Sequence, residues 1–151
     1  MKWITRERPK IDRIACPWLI QRFIDPTAEF LYVPAAEVLS VAEETGATPY
    51  DVPNVAFSHV GDLCSFDAFL QAYQLTDPAL QQLAAIVRGA DTSRLDLTPQ
   101  SAGLYAISLG LSQVFSDDHA MLKQGMVLYD ALYAWCQHCQ LETHNWPPQM
   151  L

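Results

Sequence analysis

From Asp77 onward the chain carries three helix starts, each followed by an apolar stripe, and they commit its second half to helices. Asp77-Pro78 joins an N-cap to a proline at the first helical position. Leu80, Leu83, Ala84 and Val87 follow at helical spacing, and Gly89 reads as the stop. Thr98-Pro99 opens a second helix, with Leu104, Ile107, Leu111 and Val114 along one face. Ser116-Asp117-Asp118 puts two carboxylates at the positive end of a third dipole, in a helix reaching about Cys139. The first half is punctuated more densely. Lys2–Thr5, Glu29–Val33 and Val55–Val60 read as short strands, and Thr48–Asn54, with Pro49 and Pro53, as a loop. Helices are expected from Pro17, from Pro34 to Glu44, and from Ser65 to about Tyr73. The fold class is therefore α+β, mostly helical, with a small N-terminal sheet of about three short strands packed with five to six helices.

With 151 residues, half of them hydrophobic, the chain suits one domain, read as residues 1–138 followed by a tail at 139–151. No apolar run reaches membrane-span length, and the start Met-Lys-Trp-Ile-Thr-Arg has no leader-like apolar region. A cytoplasmic location is expected, with the four cysteines as thiols. Charge is unevenly placed. Residues 1–22 hold six of the nine cations against two carboxylates, within a net charge of −8. So acidic a body argues against nucleic-acid binding by this chain alone, while the basic segment suits a small anion. The plainer reading is that the basic segment pairs with the acidic body and serves only stability.

Several residues carry chemistry. Asp12 and Cys16 are alternative caps for the helix containing Pro17, and Pro17 favours Cys16. A thiol at a helix N-terminus near Arg13 has its thiolate stabilised, which makes Cys16 a candidate nucleophile. His59, Asp62, Cys64 and Asp67 lie within nine residues at a strand-to-helix junction, in no standard zinc spacing. Asp91 follows a helix end, and His119 opens the last helix. His59, Asp91 and His119 together would form the two-His, one-carboxylate set used by non-haem iron and related divalent metals, with Cys64 or Asp67 as further ligands. Cys136-Gln137-His138-Cys139 sits at a helix end away from any βαβ context, which makes a redox role weak.

The run from Lys2 to Ile20, containing Arg13-Ile14-Ala15-Cys16-Pro17-Trp18, strongly resembles the start of the chromate-resistance domain that forms the C-terminal half of ChrB proteins. The likeness continues through Phe30–Pro34, Ser58-His59, Cys64-Ser65-Phe66, Arg88-Gly89-Ala90-Asp91 and Asp117-Asp118-His119, and ends near Cys136. It implies a role in chromate resistance. The regulatory role of longer relatives, which carry additional regions, is not implied for this domain alone.

Three classes of function follow. The first is a sensing module with a divalent metal ion (iron, zinc or manganese) or an oxyanion site, in which Arg6, Arg8 and Arg13 offer forked donors. The second is an oxidoreductase acting on chromate or reactive oxygen species through a metal or through Cys16 or Cys64. The third is an interaction domain, with a homo-oligomer among its forms. If the first holds, the basic segment is one wall of a pocket, and His59, Cys64, Asp91 and His119 stand on the other.

Overall fold

A computed structural model of the chain describes residues 1–147. Three parallel strands, β1 (Lys2–Arg6), β2 (Glu29–Val33) and β3 (Thr48–Pro49), form a sheet in the order β2-β1-β3. Helix α1 (Asp12–Phe23) connects β1 to β2. A single 3-10 turn (Ala35–Glu37) and α2 (Val38–Thr45) connect β2 to β3. Strand alternation distributes the core. Trp3 faces the main core with Ile14, Trp18, Phe66 and Phe69, whereas Ile4 faces Val38 and Ala42 of α2. The sheet is thus covered on both sides, as a parallel sheet requires.

The four remaining helices, α3 (Ser65–Ala72), α4 (Pro78–Asp91), α5 (Ser101–Val114) and α6 (Asp118–His138), build out from the α1 side. The α+β class, mostly helical, with three short strands and six helices among the described residues, is as the sequence implies. No described helix is long and apolar enough to cross a membrane. Residues 148–151 of the expected tail lie outside the described residues. Leu141 and Trp146, beyond the end of α6, are almost fully exposed.

Four sequence expectations are corrected. The third strand is Thr48–Pro49, not Val55–Val60, whose residues make only isolated bridges such as Tyr50 with Phe57. Pro49 is tolerated because β3 is a two-residue edge strand. Helix α1 begins at Asp12, so Pro17 lies inside it and Cys16 is well past the N-terminal dipole. Gly89 does not end α4. It lies where α5 crosses closely enough that a Cβ would strike the Ser101 side chain, and the helix runs on to Asp91. Finally, α5 begins at Ser101, where the Thr98 side chain receives the Ser101 N–H.

Candidate metal centre

The strand order places the site. The chain leaves β1 in one direction to reach β2 and returns past it to form β3, so the carboxyl end of β1 is a topological switch point. Ligands of parallel sheets bind outside strand ends at such a point. Arg6 ends β1, Asp12 and Arg13 open α1, and Asp51 stands two residues beyond β3. His59 comes from the following loop and Asp91 from the last residue of α4.

These elements bring Asp12, Asp51, His59 and Asp91 together, with one ligand-type atom from each within 4.8 Å of all the others. His59 Nε2 is 2.8 Å from Asp91 Oδ2, 3.3 Å from Asp51 Oδ1 and 3.7 Å from Asp12 Oδ2. Asp12 is fully buried and Asp51 nearly so, whereas the His59 side chain remains 41% exposed. The carboxylates are held from behind. Ser65, the first residue of α3, donates its backbone N–H to Asp12 Oδ2 and its hydroxyl to Asp51 Oδ1, both at 2.7 Å. The Asp12 N–H faces Asp91 Oδ1 at 3.4 Å.

Backbone strain is stored here as well. Ile11, just before Asp12, has φ 44°, and Asp51 has φ 53°; a β-branched residue rarely occupies that region.

Electrostatics leave the cluster short of positive charge. Burial, with the charges of Asp91 and Asp51, raises the Asp12 pKa well above the usual carboxylate range, despite the Ser65 N–H. Burial and the Asp51 charge raise Asp91, against the pull of His59. Asp91 also sits at the negative end of the α4 dipole, the wrong end for an anion. His59 is raised by its hydrogen bond to Asp51, opposed by desolvation and aided by the Asp91 charge. Like charges at such separations repel by roughly 4 kcal/mol per pair at an effective dielectric of about 20. One imidazolium attracts three carboxylates about as strongly as they repel one another, which leaves their burial cost unmet. A divalent cation suits this donor set of three carboxylates and one imidazole, and the oxygen-rich composition fits manganese or iron, with zinc also accommodated.

Above the carboxylates lies an open cleft of about 500 Å³, lined by Arg6, Lys10, Arg13, Ser58, His59 and Asp91 among others. Arg6 Nη2 reaches the Asp51 carboxylate at 3.4 Å, and Arg13 Nε lies 3.6 Å from it. Lys10 pairs with no carboxylate among the described residues. The cleft therefore has an anionic floor and a cationic rim.

Of the metal ligands proposed from sequence, His59 and Asp91 meet. His119 does not join them: Arg8 ties down the start of α6 through Asp118, and the His119 ring packs edge-on against Tyr32 at 5.4 Å. Cys64 and Asp67 are not part of the cluster. They form the capping box of α3, and Asp67 is held by both Arg88 Nε and Nη2 at 3.0 Å. Asp62 is exposed outside the cluster. Arg6 and Arg13 line the cleft, but Arg8 spends its guanidinium on the carbonyls of Ser112, Phe115 and Ser116 at the end of α5. Cys16 and Cys64 are fully buried. Burial, with the Asp12 charge, raises both thiols, which is the reverse of activation.

Asp12 and Asp51 are the ligand-type residues that sequence reasoning missed. In the sequence Asp12 reads only as a helix cap. Asp51 lay in an apparent loop, and only the assignment of Thr48–Pro49 as a parallel strand would have marked it as a strand-end carboxylate.

The chain is 32% identical over 133 residues to Protein ChrB of Cupriavidus metallidurans, an alignment covering 87% of this chain and 40% of that protein. The chain thus corresponds to well under half of that relative. No solved structure gives a significant match. The family model for the ChrB C-terminal domain matches residues 3–136, and the chain belongs to that family.

Proposed function

We propose that this domain holds a divalent metal ion between Asp12, Asp51, His59 and Asp91, and that Arg6, Lys10 and Arg13 recognise a small oxyanion above it, as a sensing module in chromate resistance. The convergence of three carboxylates and one imidazole at the switch point carries the reading. The carboxylates and His59 would supply the ligands, and the metal would add positive charge that the buried floor lacks. The rim guanidiniums then supply forked, charge-assisted donors suited to a tetrahedral dianion.

A thiol-based oxidoreductase has less support, because Cys16 and Cys64 are buried and their thiols are held protonated. A metal-based one would use the same four residues, and turnover of chromate by metal-loaded protein would distinguish it from a sensor.

Calorimetric titration of chelator-treated protein with Mn²⁺, Fe²⁺ and Zn²⁺ tests the metal site. One ion per chain is expected, lost in Asp51→Asn and Asp91→Asn and retained in His119→Ala. Absence of stoichiometric binding for all three ions overturns the reading. Titration of the loaded protein with chromate and sulfate tests the rim, and no saturable binding of either removes the oxyanion.

A further inference from the structure

The cleft above the four ligand-type residues is much larger than a free oxyanion. A tetrahedral ion of five heavy atoms fills roughly two to three times the ~30 Å³ share of one water molecule. The cleft encloses about 500 Å³, which lies within the roughly 300–1,000 Å³ of sites that take small organic molecules.

Its walls also differ in chemistry. Arg6, Lys10 and Arg13 stand on the charged side, whereas Pro53, Asn54 and Ser58, from the loop that follows β3, are uncharged. Both sides have polar groups to spare. Among the described residues, the Lys10 ammonium, the Asn54 amide and the Ser58 hydroxyl make no hydrogen bond to another residue. Arg6 is poorly served: its Nε is buried without a partner, and its Nη2 reaches the Asp51 carbonyl and carboxylate only at 3.3 and 3.4 Å. Arg13 is the fixed member, because its Nη1 donates to the carbonyls of Arg6 and Glu7 at 3.3 and 3.1 Å.

Building on the anion-binding reading of this same cleft, we propose that its ligand is a phosphate monoester of a small hydroxylated compound. Arg6, Lys10 and Arg13 hold the phosphoryl group, and the organic group lies along Pro53, Asn54 and Ser58. Charge fits the head group. A divalent ion on three carboxylates leaves the floor one negative charge, so with the three rim cations the cleft carries an excess of about two positive charges, against the −1.5 to −2 of a phosphomonoester near neutral pH. A single carboxylate would leave part of that excess unmatched. Geometry favours the ester over the free ion. In a monoester the three terminal oxygens carry the charge and the fourth carries carbon. With three oxygens on the cations, the fourth is directed to the uncharged wall. Chromate or sulfate would set a charged oxygen there. The Asn54 amide and the Ser58 hydroxyl each donate and accept, as sugar-type hydroxyls do, and the Pro53 ring offers carbon an apolar contact.

Calorimetric titration of the Mn²⁺-loaded full chain with ribose phosphate, inorganic phosphate, chromate and free ribose tests the assignment. Ribose phosphate should bind about tenfold more tightly than either inorganic ion, the worth of two added hydrogen bonds, and free ribose should not bind measurably. Asn54 has φ 65°, so glycine is the truncation that keeps its backbone. Asn54→Gly with Ser58→Ala should bring the ratio of ester to phosphate affinity close to one. Lys10→Ala should weaken both ligands about equally and keep the ratio. Inorganic phosphate or chromate binding as tightly as the ester, or a ratio that survives the wall substitutions, overturns the phosphate ester while leaving the anion site standing. Failure of the anion site itself looks different: no Mn²⁺ is retained, or none of the three anions saturates, and the ester falls with it.

Discussion

Pro17 removes the helical hydrogen-bond donor of the Arg13 carbonyl, and two tyrosines, the half-buried Tyr32 and the buried Tyr50, replace it. A proline inside a helix has no N–H for the carbonyl four residues earlier. In α1 that carbonyl belongs to Arg13, and it accepts from Tyr32 Oη at 3.1 Å and Tyr50 Oη at 3.4 Å. Tyr32 extends from β2, and Tyr50 follows β3, so the break in α1 ties the helix to both flanking strands at Arg13, a residue that lines the cleft.

This substitution of partners is measurable by a mutant cycle. Tyr32→Phe in the native chain should lose about 0.5–1.5 kcal/mol of stability, the ordinary net worth of one hydrogen bond. In a Pro17→Ala background the helix can donate to Arg13 again, and the same change should cost measurably less. Urea denaturation of the four proteins checks it. Equal costs in both backgrounds would show that the tyrosines do not stand in for the missing N–H.

The arginines of the basic segment divide into two jobs, and substitution should separate them. Arg8 closes the end of α5 and pairs with Asp118 at 2.9 Å, so Arg8→Ala should lower stability by about 1–3 kcal/mol while leaving oxyanion binding by the folded protein intact. Arg13→Ala should weaken chromate and sulfate binding about tenfold or more, with metal stoichiometry unchanged. Denaturation midpoints and anion titrations read the two effects. A loss of anion affinity in Arg8→Ala that exceeds the loss in Arg13→Ala would sink this division.

The class of the fold was readable because the helix starts at Asp77-Pro78 and Asp117 are local chemistry, and both side chains cap as expected. Asp91, Arg6 and Arg13 were found for equally local reasons: charge, and position at an element boundary. The failures share a different cause. The start of α1 depends on Ile11 accepting a positive φ and on Asp12 finding the α3 N-terminus, 53 residues away in sequence. Propensity therefore favoured Pro17 as the first turn, and tertiary contacts overrode it. Gly89 looked like a stop because sequence does not show Ser101 crossing it. His119 and Arg8 suit a pocket by residue type, but the Tyr32 ring beside His119 and the α5–α6 junction that holds Arg8 depend on tertiary packing that sequence does not show.

The thiols should titrate in two classes. Cys16 and Cys64 are buried, and Cys16 lies 3.8 Å from Asp12 Oδ1, so neither should react with a thiol reagent in the native state. Cys139 is partly exposed and should react first. Cys16 and Cys64 should become reactive only upon unfolding. A Cys16→Ala, Cys64→Ala double variant should bind metal as the parent does. Rapid native labelling of Cys16 would show access to the helix that the packing around Trp18 does not provide.

The pH dependence of the metal-free protein follows from the three perturbed groups. Asp12 and Asp91 have folded-state pKa values above the ordinary 3.8. Between that value and the raised ones the folded state binds more protons than the unfolded chain, so stability falls as pH rises. His59, raised above 6.5, acts in the same direction: its contribution is complete below the unfolded value and is lost as pH rises through the folded one. Metal-free protein should therefore be more stable near pH 5 than near pH 8, with Asp12→Asn flattening the slope. Metal binding requires the deprotonated ligands. Excess Mn²⁺ should accordingly raise the unfolding temperature near pH 8 and do little near pH 5. Scanning calorimetry at both pH values, with and without the ion, makes the measurement. A metal-free protein whose stability rises from pH 5 to 8, or a Mn²⁺ effect that is larger in acid, would mean that the buried carboxylates do not hold the protons assigned to them.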